Sequence, residues 1–353
     1  RTFTLPQTWK GQQVFLRIEK AQSASFVWIN GQEVGYNEGG QEPAEYDVTK
    51  YLKPGKNSIA VCVVKYSDGY YLEGQDYWRL AGIFDDVTLY ATPKTRLFDW
   101  YVTTDLDDAY RDADLDIAVD VKSYDSAAGS YSVKATLSDS NGRTVKEMKS
   151  DLFSVNGSGK HSLKLSAAVS NPKKWTSETP VLYNLNLELI DAQGKTVQQI
   201  PSRIGFKETE IRHQVFYLNG QPIKVNATNT HMQHPEWGHV MKEEVIRKDM
   251  EILKQHNFNA VRISHYPPVN KYLELADEYG LYIIDEAGVE AHATEHVSSI
   301  EGFLPMYQER VRQMVLRDRN HPCILFWSAG NESGEGPNIT EVVKEGKKYD
   351  HTR

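Results

Sequence analysis

Cysteine is scarce in this chain, and the sequence also lacks long apolar runs and any excess of basic residues. The 353 residues include only Cys62 and Cys323, which lie in separate strand-like apolar segments, so we predict two buried free thiols and no disulfide framework. No apolar run approaches the roughly 20 residues of a membrane-spanning helix. The net charge of 40 − 48 = −8 disfavours nucleic-acid or anionic-membrane partners, because both bind basic surfaces.

The N-terminus carries neither an initiator methionine nor a signal peptide, and residues 1–6 already have the composition of a strand. We therefore expect the sequence to be a piece of a longer protein. Its length predicts two or three domains, and changes in hydrophobic periodicity suggest boundaries that give residues 1–92, 93–207 and 208–353.

Residues 1–92 have the pattern of an all-β domain. Val14, Leu16 and Ile18 alternate with polar residues, and Asn30-Gly31 is typical of a tight hairpin turn. Such strands predict a two-sheet jelly roll. The segment 70–78 combines aromatic and acidic residues, which suit the apolar faces and hydroxyl edges of sugar rings, although a surface loop with packed tyrosines explains it as well.

Residues 93–207 predict a second β domain. Alternating apolar positions recur between turn signals such as Asn141-Gly142 and Asn156-Gly157. The length and strand spacing are those of an immunoglobulin-like sandwich, without the cysteine pair of antibody domains. We find no candidate chemistry in this domain and predict that it is a spacer.

From residue 208 the pattern changes to strands alternating with helices. Strands are predicted at 223–227, 260–264, 281–285 and 324–328, and a helical pattern follows each of them. This βαβαβαβα order predicts a parallel sheet with helices outside it. A complete eight-fold barrel needs about 250 residues, so we expect only its first half here.

The most informative stretch is residues 324–333, where an apolar strand ends in Asn331 and Glu332. Catalytic groups of α/β barrels lie at the carboxyl ends of strands, although these two residues could instead cap the next helix. Polar residues follow the other predicted strands too. They are Asn229, His231, His234, Arg262, His265, Glu286, Glu290 and His292.

Each of these residues alone has an ordinary structural explanation, but their placement at one rim favours a site. Glu290 and His292, with Glu332, could hold a cation. Two carboxylates suit Mg²⁺, although imidazole is an unusual ligand for it, and zinc fits a carboxylate-rich site less well.

With these motifs in view, the chain resembles glycoside hydrolase family 2, and most closely its β-galactosidases. Residues 28–31 and 75–84 are similar to the family's sugar-binding domain. Residues 231–238, 264–267 and 330–333 are similar to its barrel motifs, in matching order. The resemblance implies a jelly roll, an immunoglobulin-like sandwich and a (β/α)8 TIM barrel, together with a β-galactoside as substrate.

The resemblance also implies residue roles. Glu332 would be the general acid/base of a retaining double displacement, and Asn331 would bind the sugar 2-hydroxyl. His231 and His265 would contact galactose and the transition state. The remaining roles are Arg262 as the residue that orients the nucleophile, Asp76 as a galactose contact from the first domain, and Glu290, His292 and Glu332 as Mg²⁺ ligands.

Two departures from the family pattern stand out. The family usually has Gly-Val-Asn-Arg-His where this chain has Ala227 to His231, with Thr230 in place of the arginine. The family's nucleophilic glutamate lies on a later strand, beyond residue 353, so we expect the fragment itself to be inactive. The alternatives are a β-glucuronidase or β-mannosidase of the same family, and a non-catalytic carbohydrate-binding or adhesion module.

A half barrel leaves two strand edges without partners. Unpaired edges are templates for another chain, so we expect self-association into a homo-oligomer. We also expect side chains among Leu325, Phe326 and Trp327 to lose their cover.

Overall fold

A computed structural model describes all 353 residues and contains 24 strands and four α-helices. None of the helices has the length and apolar character required to cross a membrane. All sheets are antiparallel except one, the parallel sheet of the last third of the chain.

The first part of the chain is a β-sandwich. Its two main sheets have the strand orders β1-β7-β4-β5 and β6-β2-β9, and β3 pairs with β8. The buried faces of the two sheets meet in a core that includes Leu16, Ile18 and Val27. The strands are β1 Thr2–Thr4, β2 Gln13–Ile18, β3 Ala21–Gln22, β4 Ala24–Ile29, β5 Gln32–Asn37, β6 Ala44–Asp47, β7 Lys56–Val64, β8 Gly82–Ile83 and β9 Val87–Thr92.

The predicted hairpin is confirmed, since β4 and β5 pair across Asn30 and Gly31, whose φ angles of 52° and 81° are those of a tight hairpin turn. The prediction for Cys62 was wrong, because this residue is exposed. Strand β7 alternates, and Val61 and Val63 pack on the core while Cys62 between them faces solvent.

The middle of the chain is a second sandwich. One sheet has the order β10-β11-β15 and the other β13-β12-β16-β17, with β14 paired to β12. Twenty-one buried residues form its core, which agrees with the predicted immunoglobulin-like class. The strands are β10 Thr95–Leu106, β11 Ala113–Ser123, β12 Gly129–Ser138, β13 Thr144–Lys149, β14 Phe153–Val155, β15 Lys160–Val169, β16 Tyr183–Asp191 and β17 Thr196–Ile204.

The last part is a partial barrel of four parallel strands in sequence order, β21-β22-β23-β24. A small antiparallel sheet, β18-β19-β20, precedes it. The strands are β18 Thr209–Arg212, β19 Val215–Leu218, β20 Gln221–Pro222, β21 Ala227–Thr230, β22 Ala260–Ile263, β23 Tyr282–Glu286 and β24 Ile324–Ser328. The helices are α1 Glu243–Gln255, α2 Asn270–Tyr279, α3 Leu304–Asp318 and α4 Pro337–Tyr349.

The predicted half barrel is confirmed, but its first strand was misplaced. The strand does not cover 223–227; it begins at Ala227 and ends at Thr230, because Ala227 is the residue that pairs with Ala260. Asn229 therefore lies within the strand and not beyond it. A short apolar run that contains Ile223 and Val225 suggested the earlier position, yet Val225 is exposed.

Strand β24 has one parallel neighbour, and its side chains are better covered than expected. Leu325 is buried, and Phe326 packs on Phe216 with 4.6 Å between ring centroids. Trp327 donates its indole hydrogen to Asp350 over 2.9 Å. The hairpin β18–β19 and the last residues of the chain thus cover much of the apolar surface that this strand would expose.

Candidate active site at the barrel rim

Glu286 is the centre of the polar network at the carboxyl ends of the parallel strands. It ends β23 and is fully buried. Arg262 of β22 binds both carboxylate oxygens, from Nε over 2.8 Å and from Nη2 over 2.9 Å. This two-pronged geometry is the strongest form of arginine–carboxylate pairing. The ion pair fixes the arginine in the rim.

Two more side chains donate to the same carboxylate. His265 Nδ1 lies 2.8 Å from Glu286 Oε1, and Ser328 donates its hydroxyl to Oε2 over 2.7 Å. Because a carboxylate only accepts, His265 carries its proton on Nδ1 and leaves Nε2 for other partners. Burial alone would raise the pKa of Glu286, but the hydrogen bonds from His265 and Ser328 and the charge of Arg262 hold this pKa below its usual value.

Arg262 also reaches the turn that follows β24. Its Nη2 donates to the side-chain oxygen of Asn331 over 3.0 Å. The backbone amide of Asn331 donates to Val289 over 2.9 Å. With its oxygen engaged in this way, the amide of Asn331 has its NH₂ group available to donate to a ligand.

A second cluster lies on the same rim and contains Glu332. His292 Nδ1 is 2.6 Å from Glu332 Oε2 and 3.7 Å from Asp76 Oδ1. Ligand atoms of Asp76, Glu290, His292 and Glu332 all lie within 4.8 Å of one another. The three predicted metal ligands therefore converge, and Asp76, from the first sandwich, joins them.

This cluster has the donors for a divalent cation. Glu290 is fully buried, and its Oε2 has no hydrogen-bond partner. Burial, followed by the nearby charge of Asp76, raises the pKa of Glu290. A cation bound beside these carboxylates would supply the missing partner and offset their repulsion. Three carboxylates and one imidazole fit a hard cation, with the imidazole as the least typical ligand.

Asp76 reaches the barrel because its loop is joined to the barrel by backbone hydrogen bonds. Glu290 N donates to Leu72 O over 2.9 Å, and Gly74 N donates to Glu290 O over 2.8 Å. Thr294 also donates its hydroxyl to Tyr71 O over 2.8 Å. The segment 71–76 thus forms one wall of the rim.

His231 lies in the aromatic part of the rim. Its ring centroid is 5.4 Å from that of His265 and 6.0 Å from that of Tyr77. Burial, and then the charge of His265, lowers the pKa of His231, so a neutral ring is favoured. His234 instead stacks on Trp237 within its own loop, at 3.9 Å between centroids.

A further group of potential ligands, Asp277, His321 and Cys323, is explained by hydrogen bonds. Asp277 accepts from the backbone amide of Cys323 over 2.9 Å and lies 2.6 Å from His321 Nδ1. The Cys323 thiol donates to the carbonyl of Leu273. Both carboxylate oxygens are engaged, so this group braces the start of β24. Cys323 is buried, as predicted.

Sequence reasoning placed Glu286 on the rim without a role, and it missed Ser328, Glu73 and Arg310. Glu286 is the last residue of a mostly buried strand, and this position alone gives no sign of the four hydrogen bonds that its carboxylate accepts. Ser328 could have been found, since it ends the apolar run that precedes Asn331. Glu73 and Arg310 belong to different domains, and no local pattern connects them.

Comparison with known sequences gives three family matches along the chain. The model described as "Glycosyl hydrolases family 2, sugar binding domain" matches residues 1–93, and "Glycosyl hydrolases family 2" matches residues 95–207. "Glycosyl hydrolases family 2, TIM barrel domain" matches residues 209–353. The chain belongs to glycosyl hydrolase family 2.

Relatives with curated names agree with this family. A β-galactosidase of Pectobacterium atrosepticum is 41% identical over 359 residues, covering 100% of this chain and 34% of the relative. A β-galactosidase of Enterobacter cloacae is 39% identical, covering 100% of this chain and 35% of that protein. The chain thus spans about a third of the length of these relatives.

A solved structure shows the same fold. The β-glucuronidase of Bacteroides uniformis superposes with a TM-score of 0.88 at 24% identity, covering 100% of this chain and 45% of that one. At this identity the likeness supports the fold of the family and does not distinguish substrates.

Proposed function

We propose that the protein containing this chain is a retaining β-galactosidase with Glu332 as its general acid/base. The observation that carries the proposal is the arrangement around β24. The half-exposed carboxylate of Glu332 follows an asparagine whose amide is oriented by the Arg262–Glu286 pair. The names of relatives at about 40% identity support galactose as the sugar.

In this mechanism Glu332 protonates the leaving oxygen and later deprotonates the attacking water. The NH₂ group of Asn331 donates to the sugar 2-hydroxyl, a hydrogen bond that strengthens in the transition state. His231, His265 and Asp76 line the same rim and contact galactose hydroxyls. Arg262 holds Asn331 and orients the nucleophile.

A retaining enzyme also needs a nucleophilic carboxylate about 5–5.5 Å from the acid/base. Glu286 does not suit this role, because Arg262, His265 and Ser328 all bind its oxygens and keep them inside the rim. We propose that the nucleophile lies on a barrel strand outside residues 1–353. The 353-residue polypeptide alone is then expected to lack turnover.

We further propose that Asp76, Glu290, His292 and Glu332 hold Mg²⁺. Their convergence and the unpartnered Glu290 oxygen support this metal site. The bound cation would fix the acid/base side chain and moderate the charge around it. The residues of this chain contribute the ligands and the neighbouring sugar contacts.

A β-glucuronidase or β-mannosidase of the same family remains the alternative enzyme. A glucuronidase needs a free cationic donor for the sugar carboxylate, whereas Arg262 already binds Glu286 and Asn331. The sequence Asn331-Glu332 is also followed by Ser333 and not by the proline usual in glucuronidases. A non-catalytic sugar-binding module would not need a carboxyl group such as that of Glu332 directly after Asn331.

The decisive experiment is proton NMR of the anomers that the full-length protein forms first. If the enzyme retains the anomeric configuration, the first product from lactose or a nitrophenyl β-galactoside is β-galactose, which is seen before mutarotation mixes the anomers. Faster turnover of a nitrophenyl glucuronide or mannoside would assign the alternative. No hydrolysis of any of these glycosides by the full-length protein would favour a binding module.

A further inference from the structure

We propose that Arg310 is a positioning residue that holds the Asp76 loop against the barrel through Glu73 and thereby sets the affinity for galactosides. This inference rests on the proposed role of Asp76 as a galactose contact. Arg310 lies on α3 of the barrel, and Glu73 lies in the first sandwich, three residues before Asp76.

The Arg310–Glu73 pair is deeply buried and makes several further contacts. The exposed fractions of the two residues are 2% and 0%, and Arg310 Nη2 donates to Glu73 Oε1 over 2.8 Å. The same nitrogen donates to the backbone carbonyl of Glu38 over 3.1 Å. The amide of Gly40 donates to Glu73 Oε1 over 2.8 Å. One side chain from the barrel therefore ties together two loops of the first sandwich.

The loop beyond Glu73 needs such support. Gln75 and Asp76 have φ angles of 45° and 49°, in the left-handed region that non-glycine residues seldom adopt. Such conformations persist where the surroundings enforce them. On one side the loop is joined to Glu290, through Leu72 O and Gly74 N. The Glu73 side chain anchors it on the other side.

The electrostatics of the pair make it sensitive to the loss of Arg310. The Glu73 carboxylate is fully buried, and the guanidinium of Arg310 is the cation that pairs with it. A second buried carboxyl, Glu42, lies nearby with both oxygens unpartnered, and the charges of Arg310, Lys20 and Arg317 oppose the rise that burial causes in its pKa. Without Arg310, the Glu73 side chain would lose the hydrogen bond that fixes its position. This loss would release the anchor of the Asp76 loop.

The chain offers a matched control for the loss of a buried arginine. Arg319 directly follows α3, is 7% exposed and lies 2.6 Å from Asp99 of the second sandwich. It ties a β domain to the same helix, but its partners are Asp99, Tyr101 and Tyr349, away from the Asp76 loop. Arg319→Met should therefore lower stability as Arg310→Met does and leave sugar affinity unchanged.

The experiment measures the Kd of the full-length protein for isopropyl β-D-thiogalactoside, a galactoside that is not hydrolysed. We expect Asp76→Asn, Arg310→Met and Glu73→Gln each to weaken binding about tenfold, as the loss of one charged hydrogen bond would. We expect Arg319→Met to bind like the parent protein. Glu73→Gln keeps the shape of the side chain, so this variant still tests the anchor if Arg310→Met does not fold.

A double-mutant cycle separates positioning from general destabilisation. If Arg310 acts through the Asp76 loop, Arg310→Met combined with Asp76→Asn should bind about as well as Asp76→Asn alone. Additive losses, or equal losses in Arg310→Met and Arg319→Met, would overturn the proposal. An unchanged Kd in Asp76→Asn would overturn it as well. Failure of the parent protein to bind the galactoside would instead refute the proposed function on which it rests.

Discussion

The backbone amide of Gly74 donates to the carbonyl of Glu290 over 2.8 Å, which joins the first sandwich directly to the barrel rim. A side chain fits here only if Glu290 moves, because a Cβ at this position would lie 1.9 Å from Glu290 Oε2. The close approach places Asp76 beside Glu290, His292 and Glu332. The first sandwich and the barrel thus both contribute to this group of potential cation ligands.

Gly74→Ala should therefore displace the Glu290 carboxylate or the loop. We expect a loss of about 1–3 kcal/mol in the free energy of unfolding, as is usual for overpacking, together with weaker Mg²⁺ binding. Gly302→Ala is the control, because a Cβ there meets nothing within 4 Å. Thermal melts and Mg²⁺ titration of both variants test this, and equal behaviour of the two would contradict the steric argument.

The sequence predicted the order of the three domains because their hydrophobic periods differ clearly. Alternation over Val14, Leu16 and Ile18, and again over β11 and β16, is typical of half-buried strands, whereas helical spacing appears only after residue 208. The ends of three barrel strands were predicted within one residue. The first strand was misplaced because an apolar run need not be buried.

The contacts within the site were harder to predict than its location. Parallel strands bring their carboxyl ends together, so the rim residues could be grouped from the sequence. The four contacts of Glu286 and the pairing of Arg310 with Glu73 depend on side chains from separate strands and domains. Such pairings produce no periodic pattern in the sequence, so they can be identified only from the structure.

Mg²⁺ binding should depend on Glu290. We expect isothermal titration of the 353-residue chain with MgCl₂ to show one site, and Glu290→Gln to weaken it at least tenfold, because a buried carboxylate ligand is lost. Burial raises the pKa of Glu290, so affinity should also fall as pH decreases and protons compete for the ligands. Glu335→Gln, at an exposed position, is the control. Unchanged binding in Glu290→Gln would refute the assignment.

Glu286→Gln should destabilise the chain in a pH-dependent manner. Removing one charge from the buried pair leaves Arg262 uncompensated, at a cost on the order of 3 kcal/mol. The pKa of Glu286 is lowered in the folded state, so its stabilisation is present above the unfolded pKa of about 4.3 and is lost as pH falls through the folded value.

The difference in unfolding free energy between parent and Glu286→Gln should accordingly be largest near neutral pH and shrink in acid. Urea melts at several pH values measure it. Glu243→Gln removes an exposed pair with Arg247 and should change stability by less than about 1 kcal/mol. A difference that stays constant down to strongly acid pH would argue against a charged Glu286.

The 353-residue polypeptide should self-associate through its open sheet. Strands β21 and β24 each have a single parallel partner, so one edge of each strand has no neighbouring strand. Phe216 covers Phe326, and Lys207 and Arg353 donate to the carbonyl of Ile324, but these contacts do not supply a strand partner. Light scattering should give a mass above 40.2 kDa that rises with concentration. A monomer with a cooperative melt at every concentration would contradict this expectation.

The most direct test of the role of Glu332 is how the activity of the Glu332→Gln variant depends on the leaving group, measured in the full-length protein. General acid help is worth roughly 10²–10⁴-fold, and only a poor leaving group needs it fully. If Glu332 is the acid/base, kcat/KM for lactose should fall by about that factor, while the rate of the first step with a dinitrophenyl β-galactoside should change little. Equal losses on both substrates would contradict the assignment of Glu332 as the acid/base.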